Sequence, residues 1–146
     1  MQTVNRLISE AYREKASDIH IEPWRDYVRI RYRMDGFLEE RDHLSRDMHL
    51  PVVSRIKILG GLDIAERRAP QDGRVQVRMG GKPLDLRVAT YPTLYGEKVV
   101  LRLLSKDSVV GIDSLGFSEA DRKTFTDLIS QSHGIFLVTG PTGSGK

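Results

Sequence analysis

The chain has 146 residues, of which 39% are hydrophobic and 29% charged, a composition that excludes fibrous and disordered classes. It contains no cysteine, which excludes a disulfide framework or a thiolate metal site within these residues, and no apolar run is long enough to span a bilayer. The net charge of +3 is a small surplus, because 20 acidic side chains accompany the 23 basic ones. The polar start of the chain also lacks the apolar segment of a signal peptide.

The first half of the chain predicts two helices and several strands. Apolar residues at helical spacing predict one helix through residues 4–12 and a second over 47–59, which Gly60-Gly61 ends. Strict alternation of apolar and polar residues predicts strands over 19–22 and 28–34. The second of these strands runs into an Asp-Gly turn, which favours a hairpin.

The next part of the chain predicts further antiparallel strands. Residues 62–74 are interpreted as a loop with its turn at Asp72-Gly73. Alternating residues over 74–79 and 82–90 flank a Gly-Gly turn, and the run 98–104 is almost wholly apolar. We therefore expect a sheet-rich α+β domain with two helices over residues 1–104.

The last part of the chain has a different pattern. Residues 105–117 are interpreted as a linker. A helix is expected from Ser118 onward, with Asp121 in a capping-box position. The apolar run 134–139 is typical of a buried parallel strand.

The chain closes with the loop GPTGSGK, which matches the phosphate-binding pattern G-x-x-x-x-G-K. Glycines let successive N–H groups point at phosphate oxygens, and the lysine reaches the β- and γ-phosphates. The alternative interpretation is a glycine-rich turn with an unrelated lysine. The candidate nucleotide-binding residues are Gly140, Pro141, Thr142, Gly143, Ser144, Gly145 and Lys146.

Several longer stretches resemble one family, the hexameric secretion ATPases of type II secretion and type IV pilus assembly. The matching stretches are ASDIHIEP at 16–23, YRMDG at 32–36, RRAPQDGR at 67–74, LRVATYPTLYGEKVVLRLL at 86–104, SLGF at 114–117 and GIFLVTGPTGSGK at 134–146. The resemblance implies a PAS-like sheet domain over 1–104, and over 118–146 the first helix, strand and P-loop of a RecA-like ATPase domain. It also implies ATP and Mg²⁺, with the magnesium ligands beyond Lys146.

The resemblance further implies a motor and its surroundings. The intact protein would be a cytoplasmic homohexamer at the inner membrane that acts on secretion or pilus platform proteins and binds no nucleic acid. This chain alone would hydrolyse no ATP, since half of the nucleotide site would be missing.

The family's nucleotide-facing arginines match Arg87 and Arg102, and less closely Arg74. On the residues alone, the alternation of Arg87 with Leu86 and Val88 favours the solvated face of a strand, and the family resemblance reverses that interpretation. Arg102 lies in an apolar run, where a charge needs a carboxylate or phosphate partner. Leu115 and Phe117 could pack on the adenine or simply anchor the linker.

Two other functions compete with the motor. The stripe Arg29, Arg31 and Arg33 could bind nucleic-acid phosphates, although the aromatic residues are not interleaved with it as stacking platforms. We interpret that stripe instead as a solvated or subunit-facing surface. The domain could also dock a protein without nucleotide.

His20 is expected to be a surface or hydrogen-bonding residue rather than a metal ligand.

Overall fold

The computed structural model describes residues 2–104 and 111–140. The chain divides into two compact units, Met1–Ser105 and Lys106–Lys146. The helices and strands of the first unit are α1 (Gln2–Arg13), β1 (Asp18–Pro23), β2 (Tyr27–Met34), β3 (Phe37–Ser45), α2 (His49–Gly60), β4 (Gln71–Met79), β5 (Lys82–Thr93) and β6 (Gly96–Leu104). In the part of the chain that the structure describes, no helix is both long enough and apolar enough to cross a membrane.

The six strands form one sheet in the order β3-β2-β1-β6-β5-β4. Every neighbouring pair is antiparallel, which confirms the expected α+β class for this unit. β1 and β6 are adjacent at the centre although they come from opposite ends of the unit. The hairpin between β2 and β3 forms at the predicted Asp-Gly turn.

The core lies between the helices and one face of the sheet. The apolar stripe of α1 is buried there, and the members of that stripe are Val4, Leu7, Ile8 and Ala11. Tyr32 of β2 reaches the same layer, and its hydroxyl donates a hydrogen bond to the carbonyl oxygen of Leu7 at 3.0 Å. Burial raises the pKa of Tyr32 to about 12. Because successive side chains of a strand point to opposite faces, the residues that alternate with this core form the other face of the sheet, which is polar.

A buried ion pair joins α2 to the start of β6. Lys57 and Glu97 form a salt bridge, with side chains only 1% and 6% exposed. Lys57 Nζ also donates to the carbonyl oxygen of Glu66, at 2.5 Å. The ring of His49 bonds through Nε2 to the backbone oxygen of Glu97 at 2.8 Å. Lys57 holds the 62–70 loop and the β5–β6 hairpin near the end of α2, and His49 holds the same hairpin at the start of α2.

The predicted turn at Asp72-Gly73 is wrong, because both residues lie inside β4. Gly73 allows β4 to pass close to the end of α2 and does not form a turn. A Cβ atom on Gly73 would lie 2.5 Å from the carbonyl oxygen of Gly60, where α2 ends. Only a residue without a side chain lets the strand pass the helix at this distance.

The second unit contains α3 (Glu119–Ile129), preceded by a short 3₁₀ turn at Ile112–Ser114. The predicted cap is confirmed, since the Ser118 hydroxyl oxygen accepts a hydrogen bond from the Asp121 N–H at 3.1 Å. The predicted buried strand over 134–139 is wrong: this segment has no regular secondary structure, and Ile135 is 89% exposed. A parallel strand needs a neighbour for its backbone groups, and the described residues of this unit form none.

Candidate functional site

Three arginines from neighbouring strands lie in one row across the polar face of the sheet. The register pairs Arg74 of β4 with Arg87 of β5, and Arg87 with Arg102 of β6. Directly opposite side chains on antiparallel strands share a face, with Cβ atoms about 4.5 to 5.5 Å apart. The fold therefore brings together the three arginines that the family resemblance selects. We call Arg74, Arg87 and Arg102 the arginine row.

Asp18 of β1 lies next to Arg102 in the same row. Arg102 Nε donates a hydrogen bond to Asp18 Oδ1 at 2.8 Å, while 62% of the arginine side chain remains exposed. Asp18 itself is only 3% exposed. The expectation that Arg102 needs a carboxylate or phosphate partner is confirmed, and the partner is a carboxylate.

Arg87 is held more loosely than Arg102. Its Nη2 lies 3.6 Å from Asp72 Oδ1, and the two side chains are 63% and 61% exposed. Arg74 is exposed as well. Exposed pairs of this kind contribute only about 0–1 kcal/mol, so Arg87 can exchange its carboxylate for another anion at little cost.

A shallow cavity of about 180 Å³ opens between two members of the row. Ala89 and Val100, which are opposite each other on β5 and β6, contribute small apolar side chains. The rest of its lining is Asp72, Arg87, Tyr91 and Arg102. Pockets that enclose a drug-sized ligand measure about 300–1,000 Å³, so this one fits the charged end of a ligand rather than the whole of it.

The arginines of β2 are not the freely solvated stripe that is one of the two interpretations of the sequence; the other, a subunit-facing surface, stays a prediction. The side chains of Arg29, Arg31 and Arg33 are only 23%, 25% and 34% exposed. Glu22 accepts hydrogen bonds from Arg29 and Arg31 at 3.0 and 2.8 Å, and Lys98 Nζ lies 2.8 Å from it. The reason is the register, which sets β1 and its buried carboxylates beside β2.

Glu22 is expected to make the stability of the first unit decrease at low pH. Burial opposes ionisation of this carboxyl, but hydrogen bonds from Arg31 and Lys98 and their positive charges outweigh it and lower its pKa to about 2. A depressed pKa contributes stability that is present above the ordinary carboxyl pKa and is lost as the pH falls through the folded value. We therefore expect the unfolding temperature to decrease as the pH is lowered from about 5 to about 2. Glu22→Gln should flatten that dependence; an equally steep profile in the variant would contradict this origin.

His20 is neither at the surface nor hydrogen-bonded. It is 8% exposed, and within the described part of the chain neither ring nitrogen has a hydrogen-bond partner. Burial, together with the nearby charge of Lys98, lowers its pKa, which favours the neutral ring. Among the described residues, no group of three or more histidines and carboxylates could hold a metal ion.

The phosphate-binding motif lies mostly outside the described residues. Gly140 is described and exposed, whereas residues 141–146, which include Lys146, are outside that range. Leu115 and Phe117 are 49% and 42% exposed. The Phe117 ring stacks on Phe125 with centroids 5.3 Å apart, as a linker anchor would. Adenine packing by either residue stays a prediction.

Sequence reasoning missed the two buried carboxylates of β1, of which Asp18 contacts the arginine row and Glu22 contacts Arg29, Arg31 and Lys98 instead. The side chains of Asp18 and Glu22 alternate with isoleucines and had the pattern of an ordinary polar strand face. These side chains are buried because β1 lies at the centre of the sheet, and the local sequence pattern does not predict that position. One signal was available in the sequence: the neighbouring strands carry many basic residues, and basic side chains that become partly buried need acidic partners.

Comparison with known proteins decides the family. A family profile described as "Type II/IV secretion system protein" matches residues 1–146. The chain belongs to this family. A relative from Pectobacterium carotovorum subsp. carotovorum, "Type II secretion system protein E", is 52% identical over the whole of this chain. Its counterpart in Pseudomonas aeruginosa is 48% identical over the same length. The chain spans only 30% and 29% of the lengths of these two relatives.

The solved structure of a pilus retraction motor is similar in fold. The pilus retraction motor PilT, crystallised with ADP, aligns with a TM-score of 0.60 at 23% identity. The alignment covers 97% of this chain and 39% of the other. At this identity the likeness establishes the fold and nothing about the site.

Proposed function

We propose that this chain is part of an ATP-hydrolysing motor that powers type II protein secretion or type IV pilus assembly. The observation that carries the proposal is the arginine row: three arginines in register on one face, in a chain that ends with GPTGSGK. The names of the curated relatives support the secretion assignment. Residues 1–104 would act as a PAS-like domain and 118–146 as the start of a RecA-like ATPase domain, with 105–117 as the linker between them.

In this proposal the arginine row supplies positive charge to the nucleotide. Phosphoryl transfer spreads negative charge over the γ-phosphate oxygens, and a forked guanidinium stabilises it in a fixed geometry. Arg87 and Arg102 flank a cavity that fits a charged group, and both side chains are more than half exposed. Gly140–Lys146 would hold the phosphates of Mg-ATP, with the magnesium ligands in the sequence that follows.

The surroundings of the motor are proposed on the same basis. The intact protein would form a homohexamer in the cytoplasm, at the inner membrane, and act on platform proteins of a secretion or pilus system. The described arrangement disfavours nucleic-acid binding by β2, because the guanidinium groups of Arg29 and Arg31 already bind Glu22. A phosphate would have to displace that buried carboxylate, which costs more than binding an exposed arginine.

Nucleotide turnover separates the motor from a docking module. In the full-length protein, Lys146→Ala should abolish measurable Mg-ATP hydrolysis and weaken ATP binding, because the lysine contacts the β- and γ-phosphates. The 146-residue chain by itself should show no turnover. Phosphate release and fluorescent-nucleotide binding measure the two quantities.

The opposite result has a clear meaning. Full turnover in the Lys146→Ala protein would exclude the P-loop assignment. Partner binding that is unchanged with and without ATP would favour the docking module. Appreciable hydrolysis by the 146-residue chain alone would contradict the division of the nucleotide site proposed here.

A further inference from the structure

We propose that Asp18 is a positioning residue for Arg102, which it holds in the orientation needed to meet an anion over the polar face. This inference rests on the proposed function, since it assigns the arginine row to the nucleotide. The contact joins residues 84 positions apart in the sequence, from the first and last strands of the unit. Asp18 would touch neither nucleotide nor water; it would act only through the arginine.

The Asp18 carboxylate is itself fixed on both oxygens. Oδ1 accepts from Arg102 Nε at 2.8 Å. Oδ2 accepts from the Ser17 hydroxyl at 2.8 Å and lies 3.3 Å from Arg33 Nε. With only 4% of its side chain exposed, the carboxylate has little room to rotate. A rigid acceptor of this kind restricts the torsions of a long arginine side chain and so reduces the entropy that anion binding would otherwise cost.

The geometry of the bond leaves the arginine suited to a second partner. An arginine has five N–H donors, and the contact with Asp18 is made by Nε, the one nearest the chain. The side chain remains 62% exposed although its anchor is buried. Arg87, the other arginine of the cavity, is paired more loosely with Asp72: its Nη2 lies 3.6 Å from Asp72 Oδ1, and the Asp72 side chain is 61% exposed. The cavity is therefore flanked by one preorganised arginine, Arg102, and one that is held loosely, Arg87.

Glu22 offers a matched control. It lies on the same strand and the same face, it is 7% exposed against 3% for Asp18, and it also binds several basic side chains. None of its described partners belongs to the arginine row. Loss of either carboxylate should lower the unfolding temperature, whereas only loss of Asp18 should change catalysis.

The test compares steady-state Mg-ATP hydrolysis by the full-length protein in Asp18→Ala, Glu22→Ala, Arg102→Ala and the Asp18→Ala/Arg102→Ala double variant. Misplacing a catalytic group by about 1 Å can cost about 10²-fold, so we expect kcat to fall roughly 10- to 100-fold in Asp18→Ala. KM for ATP should change little, and kcat in Glu22→Ala should stay near that of the wild type. The double variant should be no slower than Arg102→Ala, because two residues that act through one group are not additive.

The outcomes separate this inference from the proposed function. Unchanged kcat in Arg102→Ala overturns the role of the arginine row and the positioning role with it. A slow Arg102→Ala beside a normal Asp18→Ala overturns only the positioning role. Equal losses in Asp18→Ala and Glu22→Ala, or an additive loss in the double variant, also overturn it. If Asp18→Ala does not fold, Asp18→Asn keeps an acceptor oxygen without the charge, and the same comparisons apply with Glu22→Gln.

Discussion

In the full-length protein, Arg102→Ala is expected to lower kcat for Mg-ATP hydrolysis by about 10³-fold, the lower end of what an arginine aimed at a γ-phosphate contributes. Nucleotide binding should persist, because the P-loop would hold the phosphates before the transition state. Arg87→Ala should have a smaller effect in the same direction, since Arg87 is exposed and loosely paired. Arg74→Ala should have the smallest, as Arg74 does not line the cavity.

Arg78→Ala is the control for these variants. Arg78 lies on the same strand as Arg74, four residues further along, so it shares its face but lies outside the row. It is also exposed. Its removal changes the charge of the polar face by the same amount without touching the row. Equal kcat values in Arg78→Ala and Arg102→Ala would mean that the face acts through its overall charge, and the specific role of Arg102 would be refuted.

Glu97→Ala is expected to lower the free energy of unfolding of the first unit by about 3 to 5 kcal/mol. The change leaves the Lys57 ammonium buried without its carboxylate, and breaking a buried pair costs far more than the pair itself contributes. Among the described residues, the partner that Lys57 would keep is the carbonyl oxygen of Glu66. Urea unfolding followed by Trp24 fluorescence measures the change cleanly, since Trp24 is the single tryptophan and lies in this unit.

Two further variants define the origin of that loss. Asp72→Ala breaks the exposed pair with Arg87 and should change the unfolding free energy by no more than about 1 kcal/mol. A Lys57→Met/Glu97→Leu double variant removes both charges and should recover much of the stability, because apolar replacements of a buried pair are often neutral. A loss below about 1 kcal/mol in Glu97→Ala would mean that the Lys57 ammonium reaches water or another acceptor.

Local patterns were enough for most of the helices and strands. Helical spacing located α1 and α2, and alternation located β1, β2 and much of β4 and β5, because burying one face demands these periods. The apolar run 98–104 located β6, and the Asp-Gly turn indicated the hairpin that contains β3. The same reasoning failed at Gly73, where a glycine permits close packing instead of a turn. It failed again at 134–139, since an apolar run becomes a buried strand only when a neighbouring strand exists to pair with it.

The sequence by itself predicted an α+β chain from its hydrophobic periodicity, and its motifs carry the phosphate-binding pattern and the resemblance to the secretion ATPases. The tertiary structure decided which charges meet. Strand order placed Asp18 beside Arg102, and register aligned Arg74 and Arg87 with it. Such contacts depend on which strands become neighbours, and that is set by burial of the whole apolar face rather than by any short stretch of residues.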